Sequence, residues 1–306
     1  MEKIKLEIHE KKRNGSYGTL GMPFLINSLR DSDLFEVGYH NETFKTARDF
    51  RSILLLCNGK KVCVDFWEYP APTYTSGAYN YGFDLIVKIQ DRNIPIKKVH
   101  RYLNRKKMLP KSIEELTEYK SKIVPWTFFP SRIFEKYVGK EDELIKDQVE
   151  VDKLGFFCGK AWKCRNKIMS KLSEQGIETW KSDQGNRRGG RKLKDDEFIN
   201  YMRRSKYGIV LAGRASMVTD QKNRREVDYM MMKKPLLLNY KPYYYNEFVE
   251  GKHYIYIDDN TDLKTLEDRY NIEEIAKNGH QWYLDNVRPK QAAEVFRKIL
   301  KDKLNV

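Results

Sequence analysis

The chain has 306 residues, 40% hydrophobic and 33% charged, which excludes an intrinsically disordered protein and leaves room for two domains of about 150 residues each. No apolar run approaches the roughly 18 residues of a membrane span, and the first residues, MEKIKLEIHEKKR, hold no apolar core of a signal peptide. A soluble, cytoplasmic protein is therefore expected, and a net charge of +15 calls for an anionic partner: nucleic acid, an anionic membrane surface or a nucleotide diphosphate, all of which carry phosphate.

The first half reads as strands and helices in alternation. Lys3 to His9 alternates apolar and polar side chains, as a half-buried strand does, and runs into a glycine-bearing turn, Asn14 to Gly21. A helix follows at Pro23 to Arg30. Strands are expected at Phe35 to Gly38, Ser52 to Cys57, Val62 to Phe66 and Phe83 to Ile89, with a helix at Thr43 to Phe50. This order predicts an α/β layer fold with a largely parallel sheet. Residues 105 to 150 are charged and helical in pattern, apart from VPWTFFP at Val124 to Pro130, and read as the crossover between domains. The expected division is an N-terminal domain at 1–150 and a C-terminal domain at 151–306.

The second half restarts the alternation: a strand at Leu154 to Cys158, a helix at Arg165 to Gln175 and a strand at Ile177 to Trp180. A basic glycine loop, Gly185 to Lys192, precedes a helix whose start is marked by Asp195 and Asp196. Then come a strand at Tyr207 to Leu211, a loop at Ala212 to Asp220, a helix at Gln221 to Lys233, and strands at Pro235 to Asn239 and Tyr254 to Ile257. A long amphipathic helix, Pro289 to Leu304, closes the chain.

Metal and disulfide chemistry find no support. Cys57, Cys63, Cys158 and Cys164 form two pairs with five residues between partners, neither a redox nor a usual zinc spacing, and read as reduced thiols. The five histidines lie far apart. Asp31-Ser32-Asp33 is formally a DxD, a spacing that can hold a metal, yet it falls between a helix and a strand, where a turn role is expected.

Chemistry concentrates between Tyr207 and Asn239. A buried strand ends in a small-residue loop, a helix begins with arginines and a glutamate, and a second buried strand follows. In an open α/β sheet the crevice beyond the carboxyl ends of the strands is where ligands bind. It would hold Gly213, Arg214, Ser216, Thr219, Arg224, Arg225 and Glu226. Helix N-termini and arginines suit a diphosphate, and Glu226 suits two ribose hydroxyls.

This succession, with YYYNEFVEGKHY at Tyr243 to Tyr254, resembles the donor-binding domain of GT-B glycosyltransferases, most closely the CAP10-like and exostosin-like group. Phe156 to Arg165 (FFCGKAWKCR) resembles the group's G-x5-R segment and adds Gly159 and Arg165 to the donor site. Gln281 to Asn286 (QWYLDN) resembles its W-Y-x-x-N. The likeness covers about residues 154 to 300; the compact, lysine-rich chain is similar to large-virus glycan transferases.

The resemblance implies two Rossmann-like domains facing across a cleft. It also implies an inverting, metal-independent transfer without cofactor from a UDP-sugar to a glycan or glycoprotein hydroxyl, the sugar a hexose or pentose with xylose favoured. The base would come from the N-terminal domain. Asp65 is the first candidate because it ends a strand and opens a loop of sugar-stacking aromatics, Trp67, Tyr69 and Tyr74, with Tyr79 and Tyr81 beyond. Glu68 and Asp84 are the alternatives. Without a metal, leaving-group charge falls to arginines and helix dipoles. Two other readings stay open: a nucleic-acid-binding protein, motivated by the charge and the Arg187 to Lys192 cluster but lacking a known motif, and a non-catalytic glycan-binding module.

Overall fold

The computed structural model describes residues 3–9, 22–39, 52–65, 82–88, 96–105, 112–127, 129–146, 149–159, 165–181, 193–212 and 224–306. Two sheets organise them. The first has the order β2-β1-β3-β4-β5-β6, built from β1 (Ile4–His9), β2 (Phe35–Tyr39), β3 (Ser52–Cys57), β4 (Lys60–Asp65), β5 (Leu85–Lys88) and β6 (Ile123–Pro125). The second has the order β11-β10-β9-β7-β8, from β7 (Lys153–Gly159), β8 (Glu178–Lys181), β9 (Ser205–Val210), β10 (Leu236–Leu238) and β11 (Ile255–Tyr256). Among the described residues, no helix is long and apolar enough to cross a membrane.

The first sheet is mixed rather than simply parallel. β3 runs antiparallel to both β1 and β4, while β1–β2, β4–β5 and β5–β6 pair in parallel. The cause is a two-residue turn, Asn58-Gly59, with φ of 47° and 81° between the paired residues Cys57 and Lys60. Both positive angles fit the turn twist that matches flanking strands, and asparagine and glycine adopt them at least cost. No helix therefore separates β3 from β4. The stretch expected to be pure crossover also supplies edge strand β6, whose Ile123 to Pro125 pair with Ile86 to Lys88. Two helices precede it, α2 (Ile96–Arg105) and α3 (Ile113–Ser121), and the short α4 (Arg132–Glu135) and α5 (Glu141–Ile145) follow it. The helix expected at Thr43 to Phe50 lies outside the described residues.

The second sheet is parallel throughout. Its strands are apolar on both faces, as helices on both sides require. Phe156, Val210, Leu236 and Leu238 point into one cluster, which holds Phe198 and Ile199 of α7 (Asp195–Arg204) and Val227, Met230 and Met231 of α8 (Arg224–Met231). Their chain neighbours Phe157, Ile209, Leu211 and Leu237 point into the other, with Ile168, Met169 and Leu172 of α6 (Asn166–Glu174). A short α9 (Leu266–Arg269), then α10 (Ile272–Asn286) and α11 (Pro289–Leu304), complete the chain.

The two sheets share one apolar cluster, since Ile4, Leu6, Ile8, Val62, Val64, Leu85 and Val87 of the first sheet belong to the same contiguous set as Phe156 and Val210. The C-terminal helix α11 joins them, packing on α1 (Met22–Arg30), with its Phe296 ring 4.7 Å from Trp126 and 6.0 Å from Phe35. A polar knot lies beside this crossing. Glu141 of α5 accepts from Tyr283 Oη at 2.7 Å and from Arg288 Nη2 at 2.5 Å and Nε at 3.1 Å, a forked pairing.

Helix α8 lies unusually close to β9. A methyl group on Gly208 would stand 2.4 Å from Tyr229 Cγ, and Tyr229 Oη donates to Phe156 O at 2.9 Å. Only glycine admits this approach. Gly208→Ala is expected to cost about 1–3 kcal/mol through forced displacement of Tyr229; an unchanged urea midpoint would show that the helix has slack here.

Candidate functional site

In the second sheet the chain moves from β7 outward to β8, then returns past β7 to β9. The strand order thus reverses between β7 and β9, which is the switch point where open parallel sheets leave a crevice beyond their carboxyl ends. Arg165, which caps the start of α6 after β7, spans that gap. Its Nε donates to Ala212 O at 2.5 Å and its Nη2 to Leu211 O at 2.7 Å, both just past the end of β9. The guanidinium is buried and lies 5.4 Å from the Phe157 ring centre. Gly159 makes room for it, because a methyl there would stand 3.2 Å from Arg165 Nη1 and 2.8 Å from the Phe157 ring. Asn239, after β10, extends the rim by accepting from Ala212 N at 2.6 Å.

The first turn of α8 faces the same rim. Arg225 stacks over Phe198 of α7 at 4.0 Å, and Arg224 lies over Phe129 at 5.3 Å. Phe129 follows β6 and sits 6.1 Å from Phe24, in the first turn of α1. Burial pulls the Arg224 guanidinium below its usual range, opposed by Asp228 and Glu135. Asp228, entirely buried, accepts from Ser131 N at 2.8 Å. Thus segments leaving the carboxyl edge of one sheet touch the helix that opens at the carboxyl edge of the other. Arg224 and its neighbour Arg225 lie at that contact, while Arg165 sits just past the end of β9 in the second sheet.

Glu226 departs from the expectation of an open carboxylate awaiting a ribose. It has no exposed surface, and its two oxygens accept from Tyr240 Oη and, at 2.5 Å, from Tyr244 Oη. Burial holds both phenols well above their usual range, and the Glu226 charge and hydrogen bonds add to it; for Tyr240 the nearby Arg165 pulls the other way. The three side chains form a clasp tying α8 to the segment after β10. Tyr244 in turn packs against Trp282 at 4.6 Å, so the WY pair of the QWYLDN segment is a core element behind the site.

In the first sheet, Asp65 and Lys88 end the neighbouring strands β4 and β5 and are register partners. Both are fully buried, and Lys88 Nζ donates to Asp65 Oδ2 at 2.7 Å. Asp65 is therefore placed at the expected edge but as half of an ion pair, which sequence reading did not foresee. Asp84 precedes β5 at the amino edge, where its Oδ2 accepts from Lys61 N at 2.8 Å, at the opposite end of the strand from Lys88. The Asp31-Ser32-Asp33 triplet is a turn before β2, held by Asp31 N to Asn27 O at 2.8 Å and Ser32 Oγ to Leu29 O at 2.9 Å. Glu68, Trp67, Tyr69, Tyr74, Gly213, Arg214, Ser216 and Thr219 lie outside the described residues.

A solved glycosyltransferase from Rickettsia africae ESF-5 is similar to this chain, with a TM-score of 0.38 and 13% identity over 72% of this chain. The match spans 63% of that protein, less than two thirds of its length. No protein-family profile and no curated protein matches the sequence.

The clasp makes its own prediction. Tyr240→Phe leaves one Glu226 oxygen buried without its donor, an expected loss of about 1–3 kcal/mol in urea unfolding. Equal stability of the variant and the wild type would mean that the carboxylate is not held from this side.

Proposed function

We propose that this chain is a metal-independent glycosyltransferase that moves a hexose or pentose, xylose favoured, from a UDP-sugar to a glycan hydroxyl with inversion. One observation supports the reading: Arg165 is held just past the end of β9 in a parallel sheet, and Arg224 and Arg225 open the helix that touches the segment leaving β6 of the other sheet. A diphosphate leaving group develops charge as the glycosidic bond breaks. Fixed guanidinium donors and helix N-termini stabilise that charge without reorganising at the moment of reaction. The opposite edge then presents the acceptor.

Arg165 holds the rim through two carbonyls and places its guanidinium charge just past the end of β9. Arg225 and Arg224 add charge from the helix that opens the crevice. Glu226 enters as the anchor of the tyrosine clasp, because a ribose contact would require an oxygen that Tyr240 or Tyr244 now holds. Asp65 remains the proposed base, with Glu68 as its alternative; Lys88 supplies the counter-charge that a buried carboxylate needs.

Calorimetry with UDP tests the donor site, with dissociation constants in the micromolar to millimolar range expected. Arg225→Ala should weaken binding about tenfold to a hundredfold, the worth of one or two charge-assisted hydrogen bonds. Absence of UDP binding at millimolar concentration in the wild type would remove the reading. Asp65→Asn is expected to retain UDP affinity and lose transfer; full turnover in that variant would pass the role to Glu68.

A further inference from the structure

Helix α8 carries a second carboxylate that the proposed transfer does not use. Asp228 is entirely buried at the junction of the two sheets, where its Oδ1 takes the Ser131 amide. Its Oδ2 is buried without a hydrogen-bond partner, and so is Ser131 Oγ. A buried carboxylate oxygen left in this state is costly and rare. Asp228 also follows Arg224 by four residues and Arg225 by three, so all three side chains share one side of the helix.

The groups around it are few. Arg224 and Arg225 come from its own helix, with Tyr229 next in the chain. Ser131 reaches it from the segment before α4, and Glu135 of α4 acts on Arg224. His280 of α10 also touches α8, but at Met230 O, 2.8 Å from its Nδ1. Burial pushes the Asp228 carboxyl up to about 6, against the pull of Arg225, of Ser131 and of Arg224.

We propose that Asp228 is the positioning residue of the anion site: it holds the arginine pair at the sheet junction and takes up a proton when a diphosphate settles against those arginines. The proposal rests on the diphosphate reading above. Without anion, the two guanidinium charges favour an ionised Asp228. A bound diphosphate neutralises them and adds negative charge nearby, so the buried carboxylate then prefers its proton. Protonated, the carboxyl no longer carries a charge that burial disfavours, and Oδ2 becomes a donor.

The sign follows from linkage. A site whose proton affinity rises on binding gives tighter binding at low pH and weaker binding as pH rises through its titration range. UDP-glucose affinity of the wild type is expected to fall about tenfold from about pH 6 to about pH 8. Calorimetry in two buffers of different ionisation enthalpy reads the proton count directly. Because UDP itself titrates nearby, the decisive quantity is the difference between the wild type and Asp228→Asn: up to about one proton more taken up by the wild type. UDP-glucose, whose diphosphate carries no proton that titrates near neutrality, gives the same reading on the wild type alone should the variant fail to fold. Uptake by the wild type that is lost in the variant, or uptake with UDP-glucose, supports the proposal. UDP binding with equal proton counts in both proteins, or UDP-glucose binding with none, overturns it while leaving the donor reading in place. Failure of both nucleotides to bind overturns both.

Discussion

The crevice depends on how closely α8 lies on β9. Gly208 lets the Tyr229 ring sit directly on the strand, and the phenol reaches over to the Phe156 carbonyl on β7. That contact fixes the height and rotation of a helix whose first turns carry Arg224, Arg225, Glu226 and Asp228. Each has a different partner: Phe129 beyond β6, Phe198 on α7, the tyrosines after β10 and the Ser131 amide. A helix seated an ångström higher would lose most of these at once, because guanidinium stacking and hydrogen bonding both fall away over such distances.

Electrostatics and packing are hard to separate in this arrangement. A basic protein can attract phosphate anywhere on its surface, but only charges held in a partly desolvated crevice act strongly on a reacting group. Arg165 is fixed by carbonyls and Arg225 by a ring, while Arg224 lies over a ring within the field of two carboxylates. The buried Asp65–Lys88 pair at the facing edge is a different kind of device, since two charges withdrawn from water gain from each other only at close range.

The second sheet was legible because its strands are continuous apolar runs, YGIVL and PLLLN, flanked by caps and charged helix starts. The first sheet was less so. The Asn58-Gly59 turn that reverses β3 is a strong hairpin signal, but it sat between two strands already read as parallel. Strand β6 is only three residues long and hid in an aromatic segment. Helix α10 went unread as a helix; its mid-helix Gly279 would ordinarily argue against one, yet it is retained where a methyl would stand 3.1 Å from the His253 carbonyl. Site residues divided along similar lines. Arg165 and the α8 arginines could be found from spacing, whereas the partnerships of Asp65 with Lys88 and of Glu226 with two tyrosines join residues far apart in sequence. Asp228 is one of several charges in its segment, and its burial arises from tertiary packing that the sequence does not display.

The chain passes between its two sheets twice, once through the stretch from Trp126 to Asp152 and again when α11 returns to lie on α1. A single connection would let the halves swing in any direction. A second, anchored by the tilted contact of the Trp126 and Phe296 rings and the forked Glu141–Arg288 bond, removes most of that freedom. Together with the apolar cluster that both sheets share, the two crossings tie the halves to one another at separate points, so that neither depends on a single linker for its placement.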